Sequence, residues 1–114
     1  MLQYESQPLD KAFHALSDPS RRAMVERLSR GPATVSELAK PFPMTLSAVT
    51  QHLKVLEESG LVKSAKQGRV RTCMLDAGAI DRIDRWITER RQFWERQYDQ
   101  LEAYLAQPHP TGEE

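Results

Sequence analysis

The feature that most constrains the fold is helix punctuation, because the residues that must start or stop a helix are spaced so regularly that few architectures remain. Ser17-Asp18-Pro19 places a capping side chain before a proline at a first-turn position, where the missing N–H costs no intrahelical bond. The helix it starts is expected to run through Arg30 and stop at Gly31-Pro32. A short helix over 10–16 is expected before it. Thr34-Val35-Ser36-Glu37 has the capping-box spacing, in which hydroxyl and carboxylate satisfy each other's orphan amides, and Pro41 and Pro43 end the short helix that follows. Thr45 can cap a fourth helix over 46–59 that finishes at Gly60. Two arms, 61–66 and 69–75, hold β-branched or apolar residues around Gln67-Gly68 and predict a hairpin with a tight turn. Asp76 can cap a last helix from 77 to about 106, about 45 Å long at 1.5 Å per residue. The expected fold class is therefore mainly α with a small β-hairpin, built from five helices and two strands. Residues 1–106 are read as one domain, and 107–114, with two prolines, a glycine and nothing apolar, as a disordered tail.

Composition narrows the function classes. Lys and Arg number 16 and Asp and Glu 16, so the net charge is zero and the chain is neither an acidic tail nor a uniformly basic arm. The distribution is uneven. Residues 1–60 carry seven basic and seven acidic side chains, 73–114 carry five basic against nine acidic, and 61–72 carry Lys63, Lys66, Arg69 and Arg71 with no acid. A short run of one sign inside a neutral chain is a local electrostatic footprint for a partner. A single cysteine, Cys73, rules out an intramolecular disulfide framework and a cysteine-only zinc site within one chain. No apolar run approaches the roughly 20 residues of a membrane span, and the N-terminus lacks a signal core, so a cytoplasmic location without membrane association is expected.

On a wheel at 100° per residue, Leu46, Val49, Leu53 and Leu56 form one stripe that should face the core. Ser47, Gln51, Lys54 and Glu58 lie nearly opposite, with Thr50 beside them. Small hydroxyls let a helix backbone lie deep in the major groove, glutamine can pair bidentately with adenine, and lysine meets phosphate as a point charge. The same face could equally be a merely solvated one. Two contexts favour DNA: a short capped helix, a turn and a second helix with a polar face is the helix-turn-helix arrangement, and Lys66, Arg69 and Arg71 fall on the hairpin that follows. Arg69 and Arg71 are expected to share a strand face by period-two alternation. An edge hairpin carrying charge against aggregation is the alternative. His52 sits about 60° from the apolar stripe, so it is placed either at the DNA or against the neighbouring helix.

The stretch 45–56, TLSAVTQHLKVL, followed by Glu58-Ser59-Gly60-Leu61-Val62 and Gln67-Gly68-Arg69, resembles the recognition helix and wing of the arsenic-repressor (ArsR) family of winged helix-turn-helix regulators. Residues 16–22, LSDPSRR, are similar to its N-terminal signature. The resemblance spans roughly residues 9–105. It implies a homodimer with the first and last helices at the interface, recognition helices in successive major grooves of double-stranded DNA, and Ser47, Thr50 and Gln51 at the DNA with His52 nearby. It further implies a transcriptional regulator, expected to act as a repressor at a palindromic operator. The alternative is a winged-helix protein interaction module that sets its basic wing against an acidic partner. An enzyme is not expected, since no nucleophile shows a base and an orienting partner.

Many relatives sense metals through clustered cysteines on the third helix or Asp, His and Glu sets on the last. Neither set exists here, so the chain resembles the branch without recognised metal motifs, and no metal or cofactor is expected. Cys73 is read as a small, half-buried apolar residue, with a redox switch as the sharper alternative. The last helix carries Ile80, Ile83, Ile87, Trp94, Tyr98, Leu101 and Leu105 at spacings of three, four and one gap of seven. Such a stripe wants a partner. Phe13 on the first helix together with Ile87, Trp94, Tyr98, Leu101 and Leu105 are the expected dimer contacts. An unknown small-molecule effector in an aromatic pocket between subunits is a further reading of the same residues.

Overall fold

A computed structural model of the chain describes residues 3–108, with side chains from residue 7 onward. Its elements are α1 (Gln3–Leu16), α2 (Pro19–Leu28), β1 (Ala33–Thr34), α3 (Val35–Ala39), α4 (Leu46–Glu58), β2 (Val62–Gln67), β3 (Val70–Leu75) and α5 (Ala77–Ala106). Five helices and the expected β2–β3 hairpin are present, and β1 adds a short third strand in the order β1-β3-β2.

The caps do the work that their sequence signals predict. Asp18 adopts extended backbone and its carboxylate accepts the Arg21 amide at 3.0 Å, directly before Pro19. Thr34 Oγ1 accepts from the Glu37 amide at 3.1 Å while Glu37 Oε1 accepts from the Thr34 amide at 2.8 Å, a complete capping box. Thr45 caps α4 through the Ala48 amide at 3.0 Å, and Asp76 caps α5 through the Ala79 amide at 3.1 Å. Gly60 follows α4 at φ +84°, a left-handed conformation that a side chain would oppose.

Several expectations shift. α1 begins at Gln3 rather than 10 and continues through Pro8, which stands in its first two turns, where a missing N–H removes at most one intrahelical bond. α2 ends at Leu28 with Ser29 as cap, two residues before the expected Arg30. The hairpin turn is Gly68-Arg69 rather than Gln67-Gly68, since Gln67 pairs with Val70. Of the two turn residues only Gly68 has positive φ, +64°, which fits a two-residue turn with glycine at its first central position. Arg69 therefore sits in the turn and does not share a strand face with Arg71.

Met24, Leu28, Leu38, Val49, Leu53, Leu56, Leu61, Val62 and Cys73 form the centre of the core, with Ala12 and Ala15 of α1 and Ala79 of α5. Each full burial of a large side chain is worth about 1.5–3 kcal/mol. Ser59 is the one buried polar residue described in this core, and it is satisfied: its hydroxyl donates to the Leu56 carbonyl at 2.7 Å and accepts from the Leu61 amide at 3.2 Å. The chain divides into two compact units, Met1–Ile83 and Asp84–Glu114. The first holds the helix-turn-helix and the hairpin. The second is the continuation of α5, and its Phe93, Trp94, Tyr98, Leu101, Tyr104 and Leu105 are all exposed. Gln107 follows α5, and residues 109–114 of the expected tail, including His109, lie outside the described residues.

Candidate nucleic-acid interface

α4 is presented by its burial. Val49, Leu53 and Leu56 are 0–3% exposed, and this anchors the helix on the core so that the opposite side is open. Ser47, Thr50, Gln51 and Lys54 all lie on that open side and line a shallow depression of about 290 Å³. Four of the five polar residues expected from the wheel are thus brought together in one place, while the fifth, Glu58, lines a separate cavity beside α1. The fifth lining residue is Leu46, 58% exposed, which the wheel had assigned to the buried stripe. As the first helical residue after the Thr45 cap it lies at the edge of that stripe, where the core no longer reaches it.

His52 faces α2. Its Nδ1 lies 3.3 Å from the Arg21 guanidinium and 3.9 Å from the Asp18 carboxylate. A guanidinium only donates, so Nδ1 accepts in this contact. Arg21 also donates to the Ala15 carbonyl at 2.7 Å and the His14 carbonyl at 3.3 Å, and Arg22 donates to the Leu16 carbonyl at 2.7 Å. The 16–22 segment therefore ties the C-terminal end of α1, the start of α2 and the recognition-type helix α4 into one junction. The Arg21 amide, with help from the charge of the Arg21 guanidinium, holds the Asp18 carboxyl below the usual carboxylate range against a partial desolvation.

On the hairpin, Lys66 and Arg69 are exposed, Lys66 opposite Arg71 and Arg69 in the turn. Arg71 is occupied differently. Its guanidinium donates to Ser64 Oγ at 2.7 Å, and that hydroxyl donates to Glu57 Oε2 at 2.7 Å, with Arg71 and Glu57 themselves 4.0 Å apart. This chain fastens the hairpin to the last turn of α4. Cys73, beside it in β3, is fully buried rather than half-buried; burial and then the Glu57 charge push its thiol up, with Arg71 opposing. That is the opposite of the thiolate a redox switch needs.

Sequence reasoning missed Asp18, Arg21, Glu57 and Ser64 as residues that hold the face in place. Arg21 and His52 are 31 positions apart, and no local pattern pairs them. Away from this face, a cavity of about 510 Å³ opens between α1 and α4, lined by Asp10, Lys11, His14, Val55, Glu58 and Ser59. In the second unit, Trp94, Gln97, Tyr98 and Leu101 line a shallow apolar depression of about 160 Å³, and Ile87, Leu105 and, on α1, Phe13 are also exposed. Among the described residues no group of three or more His, Cys, Asp or Glu is placed to hold a metal, and no helix is long and apolar enough to cross a membrane.

Residues 16–65 match a family model described as a helix-turn-helix domain. The HTH-type transcriptional regulator Rv2034 of Mycobacterium tuberculosis is 42% identical over 87 residues, covering 76% of this chain and 78% of that protein. The transcriptional repressor SdpR of Bacillus subtilis is 23% identical over 79 residues, covering 69% of this chain and 88% of that protein. The crystal structure of the ArsR family transcriptional regulator RHA00566 superposes with a TM-score of 0.73 at 49% identity, covering 78% of this chain and 92% of that one.

Proposed function

Because this chain belongs to the ArsR family of winged helix-turn-helix transcriptional regulators, we propose that it acts as a homodimer that occupies a palindromic operator and represses transcription from it. It is a DNA-binding regulator and not an enzyme, as the similarity to proteins of that family establishes. The observation that carries the finer reading is the open face of α4, where Ser47, Thr50, Gln51 and Lys54 converge opposite three buried aliphatic side chains. In this reading Ser47, Thr50 and Gln51 meet base edges, Lys54 meets phosphate, and Lys66 and Arg69 at the hairpin tip reach the backbone or the adjacent minor groove. His52 and Arg71 serve differently. Their hydrogen-bond partners, Arg21 and the Glu57–Ser64 pair, support a role in fixing α4 and the wing to the body of the domain.

Dimerisation is supported by the exposed side chains of α5: Ile87, Trp94, Tyr98, Leu101 and Leu105 recur on a helix of 30 residues, with Phe13 as the contribution from α1. A two-fold dimer presents two recognition helices to half-sites about one helical turn apart, which is the reason for a palindrome. The repressor assignment follows the relative named as one, and the mechanism is occupancy that excludes polymerase. Protection mapping of the DNA upstream of the protein's own gene tests this. Two protected half-sites about 10 base pairs apart, with reporter output rising when the gene is deleted, are expected. Uniform protection without sequence preference, or an acidic protein competing as well as matched duplex, would overturn it.

A further inference from the structure

The open face of α4 is polar with one exception. Leu46 is 58% exposed, while the other three apolar residues of its stripe are 0–3% exposed. It rims the same depression as Ser47, Thr50, Gln51 and Lys54, and its side chain offers no hydrogen-bonding atom to water or to a base. Its position is also telling. The N-terminal residues of a groove-reading helix are the ones that contact base edges, and Leu46 is the first residue of α4 after the cap. Along the major groove the base pairs present donors, acceptors and a single apolar group, the C5-methyl of thymine. An exposed leucine at the leading end of an otherwise hydrogen-bonding face has one complementary feature there.

We propose that Leu46 is a specificity-determining residue that packs against a thymine C5-methyl in each half-site. The inference rests on the reading of α4 as the helix that enters the groove. It also fixes a spacing. Leu46 and Gln51 are five residues apart, about 7.5 Å of helix rise, which is about two base steps of 3.4 Å. The methyl contacted by Leu46 therefore lies within about two base pairs of the base read by Gln51. Covering one methyl is worth about fourfold in affinity per half-site and about fifteenfold when both half-sites are changed.

The test replaces operator thymines one at a time by deoxyuridine, which keeps Watson–Crick pairing and lacks only the methyl. Wild type, Leu46→Ala, Leu46→Met and Gln51→Ala are titrated on the unmodified and substituted operators and on a random duplex. One thymine per half-site should weaken wild type about fourfold when demethylated. Leu46→Ala should bind both versions equally, Leu46→Met should keep most of the methyl effect, and Gln51→Ala should keep all of it. Because Leu46 is exposed, its alanine variant should melt with wild type, so lost discrimination would not reflect lost folding. A wild type that discriminates operator from random duplex but shows no methyl effect overturns the leucine inference alone, as does a Leu46→Ala variant that remains methyl-sensitive. A wild type that binds operator and random duplex alike overturns the groove reading of α4 and this inference with it.

Discussion

Trp94→Ala offers the sharpest probe of the proposed dimer, because the single chain leaves this side chain 70% exposed. A tryptophan presents up to about 250 Å² of surface, so about 175 Å² is available to a partner, and covering all of it at about 25 cal/mol per Å² is worth about 4 kcal/mol per protomer. If the interface covers half of that, truncation in both protomers costs about 4 kcal/mol, roughly three decades in the dissociation constant. Sedimentation velocity over nanomolar to high micromolar protein reads this directly. Wild type should sediment as a dimer at micromolar concentration and the variant as a monomer. The melting temperature should follow, rising with protein concentration for wild type and much less for the variant. A wild type that is a compact monomer at micromolar concentration, or a variant with an unchanged dissociation constant, would show that Trp94 is not part of a dimer interface.

Three further outcomes follow from particular contacts. The carboxyls of Asp18, Glu37 and Asp76 are all held below their usual range, chiefly by the helix-start amides that they accept; stability is therefore full above the ordinary carboxylate pKa and is lost as pH falls through the lowered folded values. Urea midpoints measured from pH 5 down to 3 should fall in wild type and flatten in Asp18→Asn or Glu37→Gln, and a pH-independent wild type would contradict this. Ser64→Ala should break the Glu57–Ser64–Arg71 tie while keeping both charges, and the alkylation rate of the buried Cys73, the chain's single thiol, should rise about three- to tenfold as the hairpin opens more often; an unchanged rate would show that the tie does not restrain the wing. Stoichiometric zinc, nickel or arsenite should leave operator affinity unchanged, because the convergent ligands a metal needs are not assembled among the described residues; metal-coupled DNA release would reverse that expectation.

What could be read from the sequence was what depends on local hydrogen bonding. The caps at Asp18, Thr34, Thr45 and Asp76 each involve a partner within three residues, so residue type and spacing suffice to place them. β1 was illegible because two residues carry no periodicity, and Thr34, spent on its capping box, gives no strand signal of its own. The one-residue shift of the turn reflects glycine taking the first central position, which the dipeptide alone does not decide. At the candidate site the residue types were legible on the wheel and their supports were not. Arg21 against His52, and Glu57 with Ser64 and Arg71, are tertiary pairs whose members look like ordinary surface charges in sequence. Leu46 shows the limit of the wheel itself: angle puts it with the core, but the core ends one turn before it reaches the start of α4.

If α4 reads sequence and the wing tip reads backbone, one titration set separates the two roles. Wild type, Gln51→Ala and Arg69→Ala are measured on the protected operator, a single-base variant and a random duplex at several salt concentrations. Gln51→Ala should lose about 1–3 kcal/mol on the operator and relax preference at one position per half-site, with its salt dependence unchanged. Arg69→Ala should weaken all three duplexes by similar factors and flatten the slope of log affinity against log salt by about one unit per protomer. A Gln51 variant with intact specificity together with an Arg69 variant of unchanged salt slope would show that neither element plays its proposed part at the operator.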